Sequence, residues 1–165
     1  MATLEARRHL FISHHHKDDA LVDKFTKLLS GKGWDVRNSS VRAKPANAER
    51  LKNGLIKDAV LQRLLRMKIS WASTVVVLIG SETHKRPWVN WEIAQAHAQG
   101  KRIVGVFEQA GKDADIPKSL EKYASAIVGW NAGSVQRAID SSENFFESSD
   151  GNVRPPVNGS MRTTC

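Results

Sequence analysis

The stretch Ser73-Thr74-Val75-Val76-Val77-Leu78-Ile79-Gly80 limits what this chain can fold into more than any other. Its β-branched residues favour extended backbone, and odd and even positions are equally apolar, so neither face is suited to water. Such a strand belongs at the centre of a parallel sheet with helices on both faces. The flanking sequence supplies its neighbours. His9-Leu10-Phe11-Ile12-Ser13 is a second short apolar run, Trp34-Asp35-Val36-Arg37 alternates, and Ile103 to Phe107 and Ala126 to Trp130 are two further strands.

Helical patterns fill the intervals. Asp18 and Asp19 suit a first helical turn, Leu21, Val22, Phe25, Leu28 and Leu29 follow at helical spacing, and Gly31 and Gly33 end the helix. From Gly54 to Trp71, Leu55, Ile56, Ala59, Val60, Leu64, Leu65 and Ile69 form a broad apolar face, read as a buried helix. Pro87 opens a helix that Gly100 closes, Pro117 opens a short one through Tyr123, and Val135 to Phe146 reads as a last amphipathic helix. Five strands alternating with helices predict an α/β fold, a flavodoxin-like, doubly wound parallel sheet in the order 2-1-3-4-5. Ligands of such sheets bind beyond the carboxyl ends of the strands, at the switch point between strands one and three. The loops to search are therefore Ser13 to Lys17, Asn38 to Ser40 and Ser81 to Trp91.

With 165 residues, one domain over 1–147 is expected, followed by a tail, 148–165, whose Gly151, Pro155, Pro156 and Gly159 suggest disorder. No apolar run approaches the roughly 20 residues a bilayer requires, and MATLEARRHLF lacks the apolar centre of a signal peptide, so a soluble, cytoplasmic protein is expected. The single cysteine, Cys165, is the last residue, which leaves no internal disulfide and no cysteine-based metal site. The net charge of +8 is concentrated. Between Val41 and Lys68, Arg42, Lys44, Arg50, Lys52, Lys57, Arg63, Arg66 and Lys68 face only Glu49 and Asp58. A solvated helix face, with long basic stems covering apolar surface, is the ordinary reading of that stretch, and a phosphate-facing or partner-facing patch is the other. No recognised nucleic-acid motif accompanies it, so nucleic acid is not the expected partner.

Two loops carry candidate chemistry. Ser13-His14-His15-His16-Lys17 brings hydroxyl, imidazole and backbone N–H groups to a helix N-terminus, a natural place for phosphate, although it is neither a Walker loop nor a GxGxxG loop. Adjacent histidines diverge and lack the i, i+4 spacing useful for zinc, so no metal is expected. In Trp88-Val89-Asn90-Trp91-Glu92 a tryptophan and a glutamate stand at i and i+4, on one side of a helix just after the central strand. A carboxylate beside indole rings there can stabilise a cationic transition state or bind a ribose diol. The structural alternative makes Glu92 a helix N-terminal charge and Trp88 a core side chain.

These residues resemble a known family. Leu10-Phe11-Ile12-Ser13-His14 is similar to the first-strand box of TIR domains, and Ser81 with Trp88-Val89-Asn90-Trp91-Glu92 resembles the stretch in which a tryptophan precedes the active glutamate by four. Together with Val77-Leu78-Ile79-Gly80-Ser81-Glu82-Thr83 and Gly100-Lys101-Arg102-Ile103-Val104-Gly105-Val106, they resemble the TIR-like branch found in bacterial Thoeris anti-phage systems, over about Arg8 to Trp130. The resemblance implies a TIR-like fold and an NAD glycohydrolase or ADP-ribosyl cyclase type of enzyme. NAD would be substrate rather than cofactor. The product would be a cyclic or conjugated ADP-ribose-derived nucleotide that activates a separate effector protein. It further implies that Glu92 is catalytic and that Phe11, Ser13, His14 and Trp88 contact the nucleotide, with Asn38, Ser39 and Ser81 completing the substrate-binding set. His14 departs from the tyrosine common in TIR domains.

Two other readings stand beside this one: a non-catalytic TIR scaffold or nucleotide-sensing module, and a nucleoside deoxyribosyltransferase-like N-glycosidic enzyme. A homo-oligomer is compatible with each. No recruitment module is expected beside the domain, so an enzyme with a diffusible product is expected rather than an adaptor. A response regulator is excluded, because Ser13-His14 and Gly80-Ser81 stand where its aspartates are needed.

Overall fold

The computed structural model describes residues 6–14, 19–38, 58–80, 83–108, 115–141 and 144–147. In chain order these form β1 (Ala6–Ser13), α1 (Asp19–Ser30), β2 (Trp34–Asn38), α2 (Asp58–Trp71), β3 (Thr74–Ile79), a 3-10 turn (Thr83–Lys85), α3 (Pro87–Ala98), β4 (Arg102–Phe107), α4 (Lys118–Tyr123), β5 (Ala126–Val128), α5 (Ala132–Asp140) and β6 (Phe145–Phe146). All neighbouring strands are parallel, in the order β2-β1-β3-β4-β5-β6.

Every residue of β3 is buried, as a run apolar on both faces requires. Its alternate side chains feed two separate cores. Val75, Val77 and Ile79 join Phe11, Ile103 and Phe107 beneath Leu61, Leu65 and Ile69 of α2, Val89, Ile93 and Ala96 of α3 and Leu120 of α4. Val76 and Leu78 join Leu10, Ile12, Val104 and Val106 against Val22, Phe25 and Leu29 of α1 and Val135, Ala138 and Ile139 of α5. At Gly105, Leu120 of α4 packs close against the backbone of β4. A Cβ there would stand 2.8 Å from Leu120 Cδ2 and 3.1 Å from Ile79 Cδ1, so only glycine fits without displacement. Gly100, with φ +70°, stops α3 in the left-handed conformation.

Three expectations need correction. The final helix ends at Asp140 rather than Phe146, and Phe145–Phe146 form a sixth strand paired with β5. The reason lies in the two cores: α5 covers one face of the sheet, whereas Phe146 is buried in the cluster on the other, which a continued helix could not reach. Glu147 secures this edge, accepting hydrogen bonds from Gly129 N at 3.3 Å and from Ser134 Oγ at 3.2 Å. Within α2, Leu61, Leu65 and Ile69 face the core, but Val60, Met67 and Trp71 are exposed, so this helix is not buried all round. Leu55 and Ile56 lie outside the described residues, as does the tail 148–165. Finally, β1 begins at Ala6, three residues before His9, because it runs the length of β2, with Ala6 opposite Trp34. No helix among the described residues is long and apolar enough to cross a membrane.

Candidate active site

Ser13 is the last residue of β1 and pairs with Val77 of β3, so it stands at the carboxyl end of the sheet where the strand order reverses. Alternation along β1 puts Ser13 on the same face as Phe11, the face covered by α2, α3 and α4. Phe11 is wholly buried in that core. Two residues further on, a serine replaces the next apolar side chain, and its hydroxyl needs a partner.

That partner comes from α3. The loop leaving β3 is fixed by Thr83, whose buried hydroxyl accepts a hydrogen bond from Gly80 N at 2.9 Å and donates to the Leu78 carbonyl at 3.1 Å. Thr83 O then accepts from Arg86 N at 3.1 Å, and Pro87, preset to a helical φ, starts α3. One and a half turns later Glu92 is turned inward over the end of β1. It is 5% exposed, and its Oε1 accepts a hydrogen bond from Ser13 Oγ at 2.9 Å across 79 residues of sequence. The first turn of α3 carries no acidic residue, and Glu92 lies beyond it. Its position is therefore not explained by the helix dipole, which acts over the first turn. Burying a carboxylate is costly unless hydrogen bonds compensate, and Ser13 supplies one.

Trp88 is half-buried and packs on the core cluster, edge-on to Trp91 with ring centroids 5.4 Å apart and planes at 75°. The guanidinium of Arg66 lies 5.5 Å from the Trp91 ring centre, so α2 contributes to this aromatic wall. This is a basic stem covering apolar surface, as one reading of the charged stretch expects. His14 is buried, with Nδ1 3.2 Å from the Ile12 carbonyl. Asn38 ends β2 opposite Leu10. Ser39, Ser81 and the loop residues His15, His16 and Lys17 lie outside the described residues. No group of three potential metal ligands occurs among the described residues.

Two supporting residues were not singled out from the sequence. Thr83 is one, and a hydroxyl residue three positions after a strand-ending glycine is the local signal that points to it. The other is Asn90, two residues before Glu92. Its Oδ1 accepts from Ser119 Oγ at 2.6 Å and from Ser119 N at 3.3 Å, and its Nδ2 donates to the Arg86 carbonyl at 3.3 Å, tying α3 to α4. Nothing local marks a partner 29 residues away.

The arrangement is a shielded carboxylate at the carboxyl end of a parallel sheet, oriented by a hydroxyl, on the same helix as the Trp88–Trp91 pair. It can hold negative charge beside a carbon that becomes electron-poor during reaction, in a setting where such charge acts strongly.

In sequence, the chain is 29% identical over 107 residues to a Bacillus cereus (strain MSX-D12) protein named "Putative cyclic ADP-D-ribose synthase ThsB1", an alignment covering 64% of this chain and 54% of that protein. The chain thus spans about half the length of that relative. In structure it is similar to the Clostridium botulinum CMP N-glycosidase BcmB, with a TM-score of 0.40 and 18% identity over 62% of this chain and 71% of that one. It is also similar to the TIR domains of the activated Roq1 resistosome recognising the effector XopQ, with a TM-score of 0.42 and 16% identity over 61% and 57%. The model of the TIR-like domain of Thoeris protein ThsB matches residues 11–113, a span that includes both Ser13 and Glu92. The chain belongs to that TIR-like family.

Proposed function

We propose that this protein cleaves NAD at the bond between nicotinamide and ribose and releases an ADP-ribose-derived nucleotide. The observation that carries the reading is the buried hydrogen bond from Ser13 Oγ to Glu92 Oε1 at the switch point of the sheet. Family membership and the name of the Bacillus cereus relative support it. In the proposed reaction the C1′–N bond breaks and its electron pair leaves with neutral nicotinamide. The positive charge that develops on the ribose is stabilised by the Glu92 carboxylate, and an oxygen or nitrogen nucleophile then closes on C1′. Capture by water, with release of a proton to solvent, gives ADP-ribose, and capture by a nitrogen of the adenine gives a cyclic product. Ser13 holds Glu92 in place, Trp88 and His14 border the nucleotide, and the loops at Asn38, Ser39 and Ser81 complete its site.

On this reading the sheet is the flavodoxin-like frame of a TIR-type enzyme, with β6 as an added edge. The reaction takes place in the cytoplasm, and its product acts on a separate effector protein. The test is to incubate NAD with purified wild type and Glu92→Ala at high protein concentration, with and without lysate of phage-infected cells, and to identify all nucleotide products by mass spectrometry. A new ADP-ribose-derived mass formed by wild type alone is the expected result. Absence of NAD turnover by folded wild type under every condition would leave the scaffold or nucleotide-sensing reading.

A further inference from the structure

Val60, Met67 and Trp71 are the exposed large hydrophobic side chains among the described residues, at 53%, 42% and 56% exposure. All three lie on α2, and with half-buried Leu64 they follow the spacing i, i+4, i+7, i+11. At 100° per residue these four positions fall within an arc of about 60° and run about 16 Å along the axis. This stripe borders the Leu61, Leu65 and Ile69 face that packs on the sheet: Leu64 at its edge packs against that core, while Val60, Met67 and Trp71 are left exposed. Scattered exposed apolar residues need no explanation, but a continuous line at helical spacing is the pattern that receives an amphipathic helix.

We propose that this stripe is the docking surface for an acidic amphipathic helix of a partner protein. Charge on the same helix selects that occupant. Arg63 and Lys68 flank the stripe on opposite sides, the Lys68 ammonium lies 4.6 Å from the Trp71 ring centre, and Arg63, Arg66 and Lys68 outnumber the single acid, Asp58. A second copy of this chain is disfavoured by the same groups. Antiparallel pairing about the middle of the stripe would match Val60 with Trp71 and Leu64 with Met67, but it would bring the two copies of Arg63 together on one flank and the two copies of Lys68 together on the other. The partner that relieves this conflict carries Glu or Asp beside its apolar line. Three side chains make a small footprint, so the complex is weak and exchanges readily. Arg66 connects this helix to α3 through its contact with Trp91 and a 3.2 Å hydrogen bond from its Nε to Gln95 Oε1, so the surface lies one helix away from Glu92.

The test uses the intact chain and two labelled helical peptides of about four turns, with leucine at i, i+4, i+7 and i+11 and either glutamate or lysine at the flanking positions. Fluorescence anisotropy should show the glutamate peptide binding at least about tenfold more tightly than the lysine peptide, with an affinity that falls as salt rises. Met67→Ser with Trp71→Ser should weaken binding by about tenfold or more. Because both side chains are exposed, the thermal melt should change little. Arg63→Glu with Lys68→Glu should reverse the preference between the peptides. Equal binding of both peptides, or an unchanged preference in the charge-reversed variant, would overturn the proposal. So would failure of both to bind, with sedimentation then distinguishing a second copy on the stripe from a segment of this chain such as 39–57.

Discussion

Replacing Glu92 by glutamine separates the charge of the carboxylate from its shape. Glutamine keeps the length and nearly the volume of the side chain, and its Oε1 can still accept the hydrogen bond that Ser13 Oγ now donates at 2.9 Å. One carboxylate oxygen becomes an NH2 group, and if that donor is left unpaired at a site only 5% exposed the cost is about 1–3 kcal/mol. For a domain of this size that lowers the melting temperature by no more than roughly 10 °C. The catalytic loss should be larger. Removing a preorganised electrostatic partner from a shielded site costs about 3 kcal/mol or more of transition-state stabilisation, which is a fall of two orders of magnitude in rate. Initial rates of NAD loss, followed by liquid chromatography and mass spectrometry, give the rate ratio, and a thermal melt of the same sample shows that the variant is folded. A cooperatively folded Glu92→Gln protein retaining more than about a third of wild-type turnover would refute the argument, because a change that small is under 1 kcal/mol.

Three further outcomes follow from the geometry. Ser13→Ala removes a hydrogen bond to a carboxylate worth about 1.5–3 kcal/mol, so kcat should fall roughly ten- to hundredfold with a smaller change in KM. Steady-state kinetics decide this, since a residue contacting only bound substrate would move KM instead. Gly105→Ala would force a methyl group to within 2.8 Å of Leu120 Cδ2 and should destabilise the protein by about 1–3 kcal/mol, read as a lower urea midpoint. Asn131 caps α5 by accepting from Ser134 N at 3.0 Å, so Asn131→Ala should cost about 0.5–2 kcal/mol. Asn131→Asp should retain most of that stability in the same denaturation experiment.

Much of the frame was legible because it depends on local pattern. The apolar run at Thr74–Ile79, Pro87 at the start of α3 and Gly100 past its end each act over a few residues, and the elements formed where those signals stand. The last helix was misread because apolar residues continue to Phe146, and nothing local shows that this side chain belongs to the opposite face of the sheet. Similarly, the spacing in α2 did not distinguish its core face from its exposed stripe. Leu61 and Val60 are adjacent and both apolar, and only packing decides that one is buried and the other is not.

The candidate site divides in the same way. The i, i+4 spacing of Trp88 and Glu92 marked the carboxylate, but left open whether it served the helix dipole or faced the cleft. The tertiary structure turns it toward the end of β1, where it accepts a hydrogen bond from Ser13, 79 residues away in sequence. From the sequence alone come the parallel sheet between two helical layers and the strand ends at which to search for chemistry, because periodicity and turn residues encode short-range preferences. What only the folded chain decides is which polar groups are shielded together there and which apolar ones are left outside, because burial depends on every element packed around a side chain.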